Sequence, residues 1–145
     1  MLPKTILVPI DFSAHAERAL DYACELASKV GATVRLVHAV AAPPVGLQVA
    51  LSEEILENLV TEHREALDKL VGARRGSVTA SFGESTVEVG DPRDTIIRTT
   101  EAVKADLIVM GTHGRRGLSR VLMGSVAEDV IRHAPCPVLV VRGQG

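Results

Sequence analysis

An open parallel β-sheet covered by helices on both faces is the fold this sequence predicts, and three observations predict it. Five short apolar segments alternate with four segments of helical periodicity, the order expected of successive βαβ units. Val, Ile, Leu and Ala dominate, and aromatics occur only at Phe12, Tyr22 and Phe82, a composition suited to strands buried on both sides. At about 30 residues per βαβ unit, 145 residues accommodate the series as a single domain over residues 1–145.

The segment TILVPI (5–10) is short, continuous and β-branched, as a strand covered on both faces should be. Ser13 suits a helix N-cap, Ala16, Ala19, Leu20, Ala23, Ala27 and Val30 recur at helical spacing, and Gly31 stops the helix. Cys24 fits that pattern as a small apolar core residue. TVRLVHAV (33–40) is the second strand. After the loop AAPPVGLQVA a long helix starts near Ser52 and carries Leu56, Leu59, Val60, His63, Leu67 and Leu70 on one face. His63 there reads as a packed, hydrogen-bonded residue rather than a ligand. GARRGSVTASFGES reads as a loop, with Arg74 and Arg75 as a solvated helix end favourable to the dipole. STVEVGDP (85–92) is a third strand, and Pro92 suits the first turn of the helix through RDTIIRTTEAVKA. DLIVMG (106–111) and CPVLVVR (136–142) are the fourth and fifth strands.

Composition also excludes classes of function. The formal net charge of −2 gives no broad electrostatic footprint for nucleic acid, local basic clusters aside, and the scarcity of aromatics weakens a base-stacking reading. Cys24 and Cys136 have neither CxxC spacing nor a disulfide framework, which points to a reducing compartment. The apolar run before Asp11 is too short for a signal peptide, and no segment reaches the roughly 18–20 apolar residues of a membrane span. A soluble cytoplasmic protein is expected.

Chemistry concentrates in VMGTHGRRGLSRVLMGSVAEDVIRHAP (109–135). Gly111 ends the fourth strand at its carboxyl end, where open α/β sheets bind ligands, and Gly114 follows three residues later. Together they form a turn whose amides can approach an anion without an intervening Cβ. Gly124 and Ser125 follow a nine-residue excursion, and SVAE fits a capping box with Ser125 as N-cap and Glu128 at the third helical position. The unpaired amides and positive dipole of that helix start would face whatever the turn holds. A strand-ending turn and a helix-start spacer explain each glycine separately, so only the joint arrangement points to phosphate. The Walker motif GxxxxGK[ST] and a GxGxxG after the first strand are both absent, which disfavours P-loop NTPases and Rossmann dehydrogenases.

The stretch MGTHGRRGLSRVLMGSVAEDVIRHAPCPVLVVR resembles the C-terminal signature of the universal stress protein family in its nucleotide-binding form, G-x-x-G-x9-G-[ST]. Gly111, Gly114, Gly124 and Ser125 match every fixed position. ILVPIDFS, LVHAV and VGDPRDTII resemble the family's first strand and turn, its second strand and the entry to its third helix, so the likeness covers nearly the whole chain. It implies a Rossmann-like, adenine nucleotide alpha hydrolase-like sheet of five parallel strands in the order 3-2-1-4-5, with ATP at the carboxyl edge. Pro9 and the backbone at Ala39 would border the adenine. Ala39 stands where the family commonly has valine, keeping the backbone groups and losing apolar contact. Asp11 would bind the ribose or a phosphate-bound metal; its alternative is a turn carboxylate favouring the helix dipole. Thr112, His113, Gly114 and Arg115 would surround the phosphates, with Ser125 and the Val126 amide at the helix entrance, and Met110, Gly111 and Gly124 would belong to the same nucleotide site. Arg115, Arg116 and Arg120 add positive charge, solvated loop cations being the alternative.

His38 and His113 lack the spacing of a structural zinc site, so a divalent ion, Mg2+ or Mn2+, is expected only with the nucleotide. No G-x-S-x-G elbow or nucleophile with an identifiable base is present, and efficient ATP hydrolysis is not expected. The expected activity is that of a switch in stress response or signalling, in which ATP orders the 112–124 excursion and alters a surface for a protein partner that the sequence does not identify. A slow ATPase or nucleotidyl-transfer enzyme and a nucleotide-free scaffold dimer are the alternatives. PVLVV (137–141) would be an apolar edge strand that a second copy could pair in a homodimer, as the resemblance also implies.

Overall fold

The computed structural model describes residues 1–41, 52–112 and 123–143. Its elements follow as β1 (Thr5–Pro9), α1 (Ala14–Val30), β2 (Thr33–Val40), α2 (Glu53–Arg75), β3 (Ser81–Phe82), β4 (Thr86–Val89), α3 (Pro92–Ala102), β5 (Leu107–Gly111), α4 (Ser125–His133) and β6 (Val138–Val141). Every pairing is parallel, and the sheet runs β3-β2-β1-β5-β6 with β4 also on β2. With β4, β5 and β6 as the third, fourth and fifth expected strands, the order 3-2-1-4-5 holds.

The sheet has six strands rather than five. Ser81 and Phe82, from the polar stretch read as a loop, pair with Thr33 and Val34, and Thr86 to Val89 pair further along β2 with Val37 to Val40. β2 is eight residues long, so two short strands share its outer edge in sequence. The Gly83 amide, donating to the Val34 carbonyl at 2.9 Å, marks the break between them.

The helix starts follow from local chemistry. Ser13 Oγ accepts from the Ala16 amide at 3.2 Å and Ser52 Oγ from the Ile55 amide at 3.3 Å. Asp91 caps α3 by accepting from the Asp94 amide at 3.3 Å, with Pro92 in the first turn. Gly31 ends α1 at φ +76°, a left-handed backbone that glycine adopts without a Cβ penalty.

Alternation along the strands divides the interior in two. Ile6 and Val8 face α1 and α2 with Leu20, Ala23, Leu36 and Leu67, whereas Leu7 faces α3 and α4 with Val37, Ile96, Ile108 and Val130. Burying each such aliphatic side chain contributes about 1.5–3 kcal/mol, which is why strands without polar alternation settle at the centre. Cys24 lies in the first of these cores, and burial pushes its thiol up to about 11, which keeps it protonated and inert.

Arg74 is not a solvated helix end. Its Nε pairs with Asp21 at 2.7 Å and its Nη2 with Glu17 at 3.5 Å, tying the end of α2 to α1, and its side chain is only 13% exposed. Arg75 lies 5.5 Å from the Phe82 ring centroid. At the amino edge of the sheet, Asp106 Oδ2 accepts from the Lys4 and Thr5 amides at 2.8 and 2.9 Å. Those two amides hold its carboxyl below the usual carboxylate range and fix β5 beside β1. Among the described residues no helix is long and apolar enough to cross a membrane.

Candidate functional site

The strand order reverses between β1 and β5, so the segments leaving their carboxyl ends border one crevice. On the β1 side the Asp11 carboxylate accepts, through Oδ1, from the Ser13 amide at 3.0 Å and the Ser13 hydroxyl at 2.5 Å. Both of these bonds use Oδ1. Between the two residues Phe12 adopts φ +64°, a left-handed conformation that costs a side chain of this kind on the order of 1 kcal/mol.

The Phe12 ring repays part of that strain by packing. It meets the His38 ring edge-on at 4.8 Å and lies 6.1 Å from the His63 ring, while His38 and His63 stack at 4.9 Å with 22° between planes. His38 Nδ1 lies 2.7 Å from the Ile10 carbonyl and His63 Nδ1 2.7 Å from the Leu59 carbonyl. A carbonyl only accepts, so both Nδ1 atoms carry the proton. His63 is therefore packed and hydrogen-bonded, and the stack braces the turn that presents Asp11. Ala39 lies just beyond, two residues past Val37, the partner of Pro9 in register.

On the β5 side Gly111 uses none of glycine's special backbone freedom, since its φ is not positive. Its value is steric: a Cβ there would lie 3.0 Å from both the Cβ and the carbonyl oxygen of His15, in the first turn of α1. Met110 is buried against the α3 and α4 face, so only its backbone borders the crevice. Thr112 follows, and its carbonyl accepts from the Gly124 amide at 2.7 Å, which brings the strand end and the helix start together.

That bond also changes the expected cap. Gly124, extended at φ −64° and ψ 153°, is the N-cap of α4, and no side chain caps the helix. Ser125 is instead the first helical residue, so the capping box with Glu128 does not form. The physical reason is competition: the Thr112 carbonyl fixes Gly124 as the last extended residue and moves the start one position earlier than the hydroxyl. The amides of Ser125 and Val126 then lack intrahelical acceptors at the positive end of the dipole, an arrangement suited to an anion.

Ser125 Oγ accepts from Arg93 Nη2 at 3.3 Å, and Arg93 Nε pairs with Asp129 Oδ2 at 3.0 Å. Pro9, Asp11, Ala39, Met110, Gly111, Thr112, Gly124, Ser125 and Val126 thus lie along the carboxyl edge. His113, Gly114 and Arg115, with Arg116 and Arg120, lie outside the described residues. Sequence reasoning missed Phe12, the His38 and His63 stack, and Arg93. Only Arg93 carried a usable signal, as a cation one residue after a helix-starting proline. Among the described residues no group of three or more His, Cys, Asp and Glu side chains converges as metal ligands would.

Residues 3–142 match the family model described as the universal stress protein family. A curated relative, universal stress protein MJ0531 of Methanocaldococcus jannaschii, is 39% identical over 142 residues, covering 97% of this chain and 83% of its own. The solved structure of hypothetical protein MJ0577 superposes with a TM-score of 0.82 at 32% identity, covering 100% of this chain and 99% of that one. A universal stress protein in complex with cAMP gives a TM-score of 0.67 at 28% identity over 99% and 100% of the two chains. The Archaeoglobus fulgidus universal stress protein in complex with dAMP gives 0.67 at 31% over 97% and 98%.

Proposed function

The chain belongs to the universal stress protein family, and from that premise we propose that it binds ATP, with Mg2+ or Mn2+, at the carboxyl edge of its sheet as a nucleotide-dependent switch. The observation that carries the proposal is the hydrogen bond from the Gly124 amide to the Thr112 carbonyl. It holds the open amides of α4 beside the end of β5, next to the strand that leads into the Asp11 turn. The cAMP and dAMP complexes of two similar proteins support an adenine nucleotide as the ligand class.

In this reading Pro9 and the Ala39 backbone border the base, and Asp11 meets the ribose or the metal. Gly111, Thr112, His113, Gly114 and Arg115 surround the phosphates, with Ser125 and the Val126 amide at the helix entrance. The divalent ion screens phosphate charge, and Asp11 is the protein carboxylate that would reach it. We read residues 1–145 as one cytoplasmic domain, a setting that the free thiols of Cys24 and Cys136 suit. We favour the switch reading over a slow ATPase or nucleotidyl-transfer enzyme from the sequence, which carries no G-x-S-x-G elbow.

Gentle denaturation of freshly purified protein, followed by chromatography of the released small molecules, tests the site. An adenine nucleotide is expected from the native protein, and at least a tenfold loss of ATP affinity from the Gly114→Val, Gly124→Val double variant, about 1.4 kcal/mol or more. An empty native protein that also fails to bind added ATP, cAMP or dAMP with magnesium would overturn the proposal.

Self-association belongs to the same proposal. Among the described residues β6 has only β5 as a neighbour, and Val138 to Val141 are all partly exposed, so a second copy can pair with it antiparallel. Light scattering at micromolar concentration is expected to give twice the chain mass, and a monomer there removes the dimer.

A further inference from the structure

Arg93 stands where a cation is poorly placed without an anion. Its guanidinium lies at the start of α4, where the dipole is positive and opposes it, and Asp129 offsets that repulsion at 3.0 Å. Neither partner is deeply buried, at 45% and 38% exposure, so the pair can separate without stranding a charge in the interior. The same guanidinium donates to Ser125 Oγ at 3.3 Å. A hydroxyl has one proton, and an oxygen already accepting from a cation is left to donate that proton elsewhere.

The crevice has two ends. Ala39 on β2 lies at one; then come Pro9 at the end of β1 with Asp11 beyond it, and Gly111 at the end of β5 followed by Thr112, on strands about 4.8 Å apart. Ser125, held to Thr112 through Gly124, belongs to the end away from Ala39. With the base at Ala39, the terminal phosphates rather than the first one face Ser125 and Arg93.

We propose that Arg93 is the specificity-determining residue for phosphate-chain length, turning from Asp129 toward the terminal phosphates of an adenine di- or triphosphate while keeping the Ser125 hydroxyl directed at them. This rests on the adenine-nucleotide reading of the crevice. It gives Asp129 a definite part: it competes with the ligand for the guanidinium, and so sets the threshold at which a polyphosphate displaces it.

Titration calorimetry of the whole chain with AMP, ADP and ATP, each with magnesium, tests this on the wild type, Arg93→Gln and Asp129→Asn. Arg93→Gln is expected to weaken ATP about tenfold and AMP less than about twofold, since a charged hydrogen bond to the terminal phosphate is lost. Asp129→Asn is expected to strengthen ATP binding, because its carboxylate no longer holds the guanidinium. If the pair merely joins α3 to α4, both variants leave the ratio of ATP to AMP affinity unmoved, and the proposal fails. Equal weakening of AMP and ATP in Arg93→Gln overturns it as well. A wild type that binds none of the three nucleotides overturns the crevice reading itself, a failure visible before any variant is made.

Discussion

Gly111→Val is expected to lower stability by about 3 kcal/mol even without nucleotide, and to abolish nucleotide binding. The first carbon added at Gly111 would lie 3.0 Å from the His15 carbonyl oxygen and 3.1 Å from its carbonyl carbon. Those atoms belong to the first turn of α1, so relief requires moving a helix rather than rotating a side chain. On its other side the tail after β6 runs close to His15, since a Cβ at Gly143 would meet His15 Nδ1 at 2.5 Å. The helix that would have to shift begins at Ser13, whose amide and hydroxyl hold Asp11. One substitution therefore disturbs both walls of the crevice. Urea denaturation of the apo protein checks this, with Gly111→Ala as a milder companion. Unchanged apo stability with lost binding would mean that the glycine serves ligand approach alone, as its sequence context by itself suggests.

That glycine illustrates what sequence carries and what it does not. Features governed by neighbouring residues were legible: Ser13 as a cap, Gly31 as a stop, and the unbroken apolar runs that place β1, β2 and β5 between two layers of helices. The reversal at β1 and β5 followed from the family signature, and with it the crevice in which we propose the site. Illegible features depend on residues distant in the chain. Two residues at Ser81 and Phe82 are too few to show a period, and they count as a strand only because β2 is long enough to pair with them. Arg74 reads as a solvated charge until α1 brings Glu17 and Asp21 against it. SVAE fits a capping box, but the Thr112 carbonyl claims Gly124 and shifts the helix start, a competition no local pattern records. Arg93 meets Ser125 and Asp129 only through the packing of α3 on α4.

Leu67→Ala is the second substitution expected to have a large effect, a loss of about 3 kcal/mol against about 1 kcal/mol for Leu59→Ala. α2 is 23 residues long, yet only Leu67 and Val71 are buried, Leu67 completely. Leu59, Val60 and Leu70, on the apolar face that the sequence shows, are only partly covered and can relax toward solvent. A cavity at Leu67 therefore removes one of the two buried anchors that fix the helix to the sheet, whereas truncating Leu59 removes contacts that water already shares. The consequence reaches the site through His63, one turn before Leu67, whose ring stacks on His38 and lies near Phe12. Loosening α2 withdraws support from the strained Phe12 turn, so Leu67→Ala is also expected to weaken nucleotide binding although it touches no site residue. Urea denaturation gives the stability difference, and native-state hydrogen exchange should show faster opening in residues 53–62 than in α1. Equal losses for the two leucines would mean that the half-covered face holds α2 as firmly as its buried anchor does.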